Sequence, residues 1–435
     1  MNNSATLGRT RGLERFQLSE SSVLAGAALL VGLTSGAGVW LFKRLIDLFH
    51  WMAFGRLGAG LAQWGVWTVA LLPVLGGLVV GLIAHFLIGE ERHHGVAGIM
   101  EAVALAGGRL RYQRVPAKAV VSALSIGAGA SVGPEDPSVQ IGANLGSMFG
   151  QKLRLSDERV RTLAAAGAAG GIAAAFNAPI AGVFFALEIV LGEISGNAFG
   201  VVVLASVVSA VFTQAVSGTQ PAFRVPAYAF NSAWELPLYL GLGLLAGLVA
   251  AVYVGALYVV QDAFHSWIAP RWVKPVVAGV IVGVVGIFLP QIFGVGYETI
   301  EKILAGDSFA VLLLLALLVA KLVMTSVSIG GGFPGGVFAP SLFLGAVLGA
   351  TYGQMVQLLF PALNGAPRPP RKIGHGNPIP IGPLEERERD ERRESDLSPI
   401  APSDRNNTAM MTTEANVMNT MNPVRRNALP RSYSS

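Results

Sequence analysis

Long stretches of this chain carry almost no polar side chain, and glycine and proline interrupt them more often than charge does. The apolar runs 67–88, 201–216, 236–260, 275–289 and 311–327 are of helical length. Several approach the ~20 residues needed to cross the hydrocarbon of a bilayer. Others are too short, or too broken by glycine, to be plain spans. Polar sequence marks the joints: the start of the chain with Arg9, Arg11 and Arg15, the segment 219–233, and everything beyond Gly365. The pattern predicts an all-α integral membrane protein of broken and tilted helices. Its parts would be a cytoplasmic entry segment (1–20), a first membrane unit (21–218), a linker (219–233), a second membrane unit (234–362) and a polar, disordered tail (363–435).

The two membrane units are copies of each other. Pro137-Ser138 and Ile141-Gly142-Ala143-x-Leu145-Gly146 return as Pro340-Ser341 and Leu344-Gly345-Ala346-x-Leu348-Gly349, displaced by 203 residues. Ala117-Lys118-x-Val120 and Ser125-Ile126-Gly127 return as Ala320-Lys321-x-Val323 and Ser328-Ile329-Gly330 at the same displacement. Pro73-Val74 with Gly77 returns as Pro275-Val276 with Gly279, and Gly95-Val96 as Gly294-Val295. Echoes in one order with a nearly constant shift indicate duplication. In membrane proteins a duplicated half commonly builds a transporter with its site between the repeats. The copies differ in extent. The first continues through the Ala/Gly-rich stretch 162–189, whereas the matching stretch of the second carries more than ten ionisable side chains, among them the run from Glu385 to Glu394. At about 2.5–3.5 kcal/mol for each charge near mid-bilayer, inserting it would cost on the order of 30 kcal/mol. The second repeat is therefore expected to be incomplete, as in a truncated or frameshifted chain.

Composition sharpens the picture. Apolar residues make up 52% of the chain and charged residues 13%, and the mean hydropathy is +0.56, against about a quarter charged in soluble domains. The polar start predicts no cleaved signal peptide. A net charge of +5 then concerns topology and lipid headgroups rather than nucleic acid, and the absence of cysteine excludes disulfides and thiolate chemistry. No enzyme is predicted, nor any cofactor or metal. There is no phosphate-binding loop, and His93-His94 beside Glu91 reads as a solvated interface.

Candidate chemistry lies where glycine-rich breaks lead into helices: Gly95-Val-Ala-Gly-Ile-Met-Glu101, Gly133-Pro-Glu-Asp-Pro137 and Gly335-Gly-Val-Phe-Ala-Pro340. A helix start leaves backbone N–H groups free and carries partial positive charge, so it suits an anion. Helix starts bind more weakly than a buried Arg or Lys, as passage through a pore requires. One such break alone is also what a packing kink needs. Glu135 is the informative residue, because an ionisable side chain within apolar sequence is a functional candidate. Its counterpart in the other repeat is Phe338, so the fold of the motif does not demand an acid there. A carboxylate that fills an anion site when ionised, and leaves when protonated, would act as a gate.

These motifs resemble those of the CLC family of chloride channels and proton/chloride antiporters, across roughly residues 20–362. Gly336-Val-Phe338-Ala-Pro340 matches the family's G-x-F-x-P motif. Gly133-Pro-Glu135-Asp-Pro137 matches G-[KR]-E-G-P, with Pro134 in place of the basic residue and Asp136 in place of glycine. Val96-Ala97-Gly98-Ile99-Met100 matches G-S-G-I-P at Gly98 and Ile99 only, and 176–188 also follows the family pattern. The resemblance implies an inverted repeat, a homodimer with one pore in each subunit, and transport of chloride or a similar anion, with or without protons. It makes Glu135 the gating residue. It places the anion among Ala97, Gly98 and Ile99; Gly133, Asp136 and Pro137; and Gly336, Val337, Phe338 and Ala339. Val337 and Phe338 would hold the central ion, and the N–H groups around Glu135–Pro137 the outer one. Ala97 lacks the serine hydroxyl, which leaves chloride, nitrate and fluoride open. Ile189 stands where antiporters of the family carry an internal proton-transfer glutamate, so channel and exchanger both stay open. Neither Tyr352 nor Tyr433 matches the family's tyrosine at the central site. A membrane-inserted but non-conducting fragment is the alternative. The setting implied is a prokaryotic cell membrane.

Overall fold

A computed structural model describes residues 20–88, 95–193, 196–226, 233 and 235–359. The entry segment before Glu20, His93-His94, the middle of the linker and the tail all lie outside the described residues. The described chain is helical: α1 (Glu20–His50), α2 (Gly58–Ala62), α3 (Leu71–Ile83), α4 (Gly95–Leu105), α5 (Val115–Gly127), α6 (Glu135–Lys152), α7 (Asp157–Phe176), α8 (Pro179–Phe185), α9 (Gly196–Ser217), α10 (Glu235–Ser266), α11 (Val273–Phe288), α12 (Tyr297–Leu304), α13 (Val311–Gly330) and α14 (Phe338–Leu359). Six described helical stretches are long and apolar enough to cross a membrane, and α4, α8 with its π-helical extension to Leu191, and α11 are shorter apolar pieces. Short and broken helices beside full spans are the expected architecture.

The repeat is visible as reciprocal contacts. Gly77 of α3 lies against the carbonyl of Pro275 in α11, and Gly279 of α11 lies against the carbonyl of Pro73 in α3. Each of these residues is the repeat mate of its partner's neighbour, so swapping the copies regenerates the contact. That is the signature of a two-fold axis, as in an isologous dimer interface. Helix pairs α3/α11, α5/α13 and α6/α14 are the copies.

Small residues let the helices approach. In the first half, Gly142 and Gly146 of α6 face the backbone of α7, and Gly167 of α7 faces the carbonyl of Gly142. Any side chain at these points would meet main chain, so glycine is required for the crossing. Helix α7 is buried from Leu163 to Ala175. It ends at Asn177 in the left-handed conformation (φ 57°, ψ 38°), a helix stop. Its last carbonyls receive Lys43 of α1, whose Nζ donates to Ala174 O at 3.0 Å and Ala175 O at 2.7 Å. A cation at a helix C-terminus is favourable. Lys43, Arg44 and Asp47 follow the uncharged stretch 21–42 of α1, and the whole belongs to a stretch long enough to span, Ser22–Leu61.

The described part of the linker does more than connect. The Arg224 N–H donates to Glu301 Oε1 at 2.9 Å, and the Phe223 ring packs 5.7 Å from that of Tyr297, tying 219–226 to α12.

Candidate functional site

The loops before α6 and α14 meet at the centre of the molecule. The Gly133 N–H donates to Gly336 O at 2.9 Å, and the Gly336 N–H donates to Gly133 O at 2.8 Å, forming an antiparallel bridge. Gly133 and Gly336 are 203 residues apart, the displacement of the repeat. Equivalent residues bonded reciprocally to each other must straddle the two-fold axis. The bridge therefore brings the starts of two helices, one from each copy, to the axis.

Glu135 sits across it. Its side chain leaves the first turn of α6 and reaches the start of α14, where Oε1 accepts the N–H of Phe338 at 2.6 Å and of Ala339 at 3.1 Å. These donors belong to the free N–H groups of a helix start, so the carboxylate stands where an external anion would bind. The residue is only 4% exposed. Its Oε2 is buried and has no hydrogen-bond partner among the described residues, which costs about 1–3 kcal/mol. Gly133 and Gly336 flank the carboxylate, and a Cβ on either would strike it. Both must be bare for the acid to take this position.

Asp136 turns to a third helix. Its Oδ1 accepts the Val96 N–H at 2.7 Å, at the start of α4, and its Oδ2 accepts Gln140 Nε2 at 2.7 Å. Both acids line one cavity of about 1940 Å³, together with Gly95, Val96, Ala97, Lys118 and the segment Gly336–Phe338. Phe338 is 51% exposed and meets the Phe176 ring edge-on, centroids 5.5 Å apart. The three glycine breaks thus converge on one cavity, although most of the chain separates them.

Not every expected residue takes its expected part. Pro137 is buried in the first turn of α6 but has no N–H to offer. The donors on the Glu135 carboxylate are Phe338 and Ala339, not Val337. Gly98 and Ile99 are absent from the cavity lining; Ile99 is one turn into α4 and packs in the core with Val103 and Leu163. Tyr352 bonds to Leu238 O at 2.9 Å, between α14 and α10. Ile189 lies exposed in the π-helical turn Ala186–Leu191.

Two polar residues near the site were not among the expected site residues. Tyr253, the buried residue of α10, directs its hydroxyl towards Val337 O at 3.4 Å. Lys321 is fully buried within α13; its Nζ donates to Ile292 O at 3.0 Å and Gly294 O at 2.7 Å, and lies 5.1 Å from the centroid of the Phe343 ring. Matching Lys321 to Lys118 across the repeat was the available clue.

Residues 76–375 match the model of the voltage-gated chloride channel family. A ClcB-like protein of Ralstonia nicotianae is 33% identical over 354 residues, covering 80% of this chain and 82% of its own length. The voltage-gated ClC-type chloride channel ClcB of Shigella boydii is 30% identical, covering 77% and 81%. Chloride channel protein CLC-f of Arabidopsis thaliana is 34% identical over 79% of this chain, which spans about half (47%) of that longer protein. Among solved structures, a slow cyanobacterial Cl⁻/H⁺ antiporter superposes with a TM-score of 0.70 at 24% identity, over 79% of this chain and 82% of that one. A CLC-type fluoride/proton antiporter superposes at 0.62 and 23% identity, over 78% and 82%. The fold and the extent of the match lead to one assignment: the chain belongs to the voltage-gated chloride channel (CLC) family.

Proposed function

We propose that this protein moves chloride or a comparable small anion across a membrane, with Glu135 as the gate. The observation that carries the proposal is the Glu135 carboxylate bound, like a captive anion, to the free N–H groups of Phe338 and Ala339. While ionised it holds the place of the permeant ion. A proton would add at Oε2, the oxygen without a partner, and remove the charge that the α14 start attracts. The side chain then leaves, and an anion takes the two N–H groups. Such a site holds its ion with dipoles rather than a full charge, which favours release as well as entry.

The names of the relatives support chloride, and that of one structural neighbour supports fluoride. Ala97, which lines the cavity, offers no hydroxyl to choose between them. Whether protons travel with the anion is tied to Ile189, which cannot carry one. The bilayer is the natural cover for apolar side chains such as Leu240, Leu244 and Leu248 of α10, all exposed. Pairing with a second copy, and a prokaryotic cell membrane as the setting, belong to the same proposal and rest on the family and its bacterial relatives.

Chloride efflux from liposomes holding the full chain tests the gate. Wild-type efflux should rise as pH falls, because protonation vacates the α14 start. Glu135→Gln and Glu135→Ala should give high efflux with a flat pH profile. Efflux indifferent to both substitutions and to pH removes Glu135 as the gate.

A further inference from the structure

Asp136 is not explained by the gate. It does not cap its own helix; its carboxylate crosses to α4 and accepts the Val96 N–H at 2.7 Å. Its repeat mate is Ala339, so the shared fold does not require an acid at this position. The start of α4 is shaped to receive it. Gly95 has φ +75°, and a side chain there would stand 2.6 Å from Asp136 Oδ1. The space that a Cβ would fill is the space the carboxylate occupies. Lys118 of α5, which lines the same cavity, acts on the Asp136 charge electrostatically.

We propose that Asp136 is a second tethered anion, one that fills the start of α4 and excludes a permeant anion from it, as Glu135 does at the start of α14. The proposal rests on reading the cavity as an anion path. The α4 start has the ingredients of an anion site: an N–H that donates out of its own helix, a bare glycine and a nearby cation. Its occupant is built into the chain. Consecutive Cα atoms are about 3.8 Å apart, and Pro134 and Pro137 stiffen the backbone on both sides of the pair. One dipeptide thus delivers a carboxylate to a helix of each repeat, and displacing either acid disturbs the other. Asp136 is therefore a residue that sets how many ions the path holds and how tightly.

Chloride binding to the full chain in detergent, followed by titration calorimetry, tests this with Asp136→Asn, Asp136→Ala, Glu135→Gln and the double variant Asp136→Asn/Glu135→Gln. Asp136→Asn and Asp136→Ala are each expected to bind chloride at least fivefold more tightly, or in one additional step. The double variant should exceed either single change. Loss of a purely structural bond would not create anion affinity. Monodisperse, folded Asp136 variants that bind chloride as the wild type does, or more weakly, overturn the proposal. Collapse of both Asp136 variants on gel filtration also overturns it, because the carboxylate would then serve to hold α4 in place. Tighter binding in the Asp136 variants with no change in Glu135→Gln sustains Asp136 and removes the Glu135 gate; the reverse pattern sustains the gate alone.

Discussion

Gly336→Ala offers a way to empty the Glu135 position without touching the acid. The φ of Gly336 is not among the positive ones, so the backbone accepts alanine. The three atoms nearest to an added methyl are all in the Glu135 side chain, with Cδ at 2.5 Å and Cγ at 3.0 Å. The far end of a flexible side chain yields before the bridged main chain does, and the carboxylate is pushed off the Phe338 and Ala339 N–H groups. A hydrogen bond to a charged group contributes about 1.5–3 kcal/mol, so even one bond lost lowers occupancy of the α14 start roughly 10- to 150-fold. In the liposome assay, Gly336→Ala should therefore approach the efflux of Glu135→Ala at neutral pH and lose most of its pH dependence. Its melting temperature in detergent should stay near that of the wild type, since neither glycine N–H in the bridge is lost. Wild-type efflux and an unchanged pH profile in a folded Gly336→Ala protein would refute the placement of the carboxylate between the two glycines.

Further substitutions probe the frame. Gly146→Leu forces a side chain into the α7 main chain at Leu163; overpacking of this kind costs about 1–3 kcal/mol or more, and should appear as a lower melting temperature or loss of monodispersity. Lys321→Met leaves the Ile292 and Gly294 carbonyls without their donor, at about 1–3 kcal/mol for each orphaned group, offset in part by no longer burying an ammonium; the variant should melt earlier than wild type, and an unchanged melt would show that another donor reaches these carbonyls. Tyr253→Phe removes a long bond of 3.4 Å to Val337 O and a hydrogen bond with Thr325, neither of them to the Glu135 carboxylate, so efflux within about twofold of wild type is expected, whereas a tenfold change would mark the hydroxyl as part of the anion path.

How far the sequence could be read follows from the range of each interaction. The repeat was legible because Gly, Pro and Lys at fixed displacement survive in the letters, and it locates α3 with α11, α5 with α13 and α6 with α14. Towards the end of α1, Lys43 is a charge after the uncharged stretch 21–42, and no local pattern tells that the end of α7, 131 residues away, satisfies it. Lys321 was hidden for the opposite reason: one lysine does not interrupt the apolar run 311–327, yet it fixes the loop into α12. Glu135 stood out against Phe338, but that Phe338 itself supplies a donor to it is a fact of three-dimensional placement. Asp136 was placed among the residues around the anion. Its partner lies 40 residues away at Val96, and no local pattern announces that contact.

The bridge between Gly133 and Gly336 sets a rule for any later change in either repeat. Residues beside a two-fold axis share one space, so an acid in both copies would bring two carboxylates to one position, where like charges repel. Only one copy can carry it ionised there. The present chain has Glu135 in one repeat and Phe338 in the other, and this difference, with Asp136 against Ala339 beside it, distinguishes the two helix starts that meet at the axis. Direction across the membrane, in such a frame, begins with one side chain.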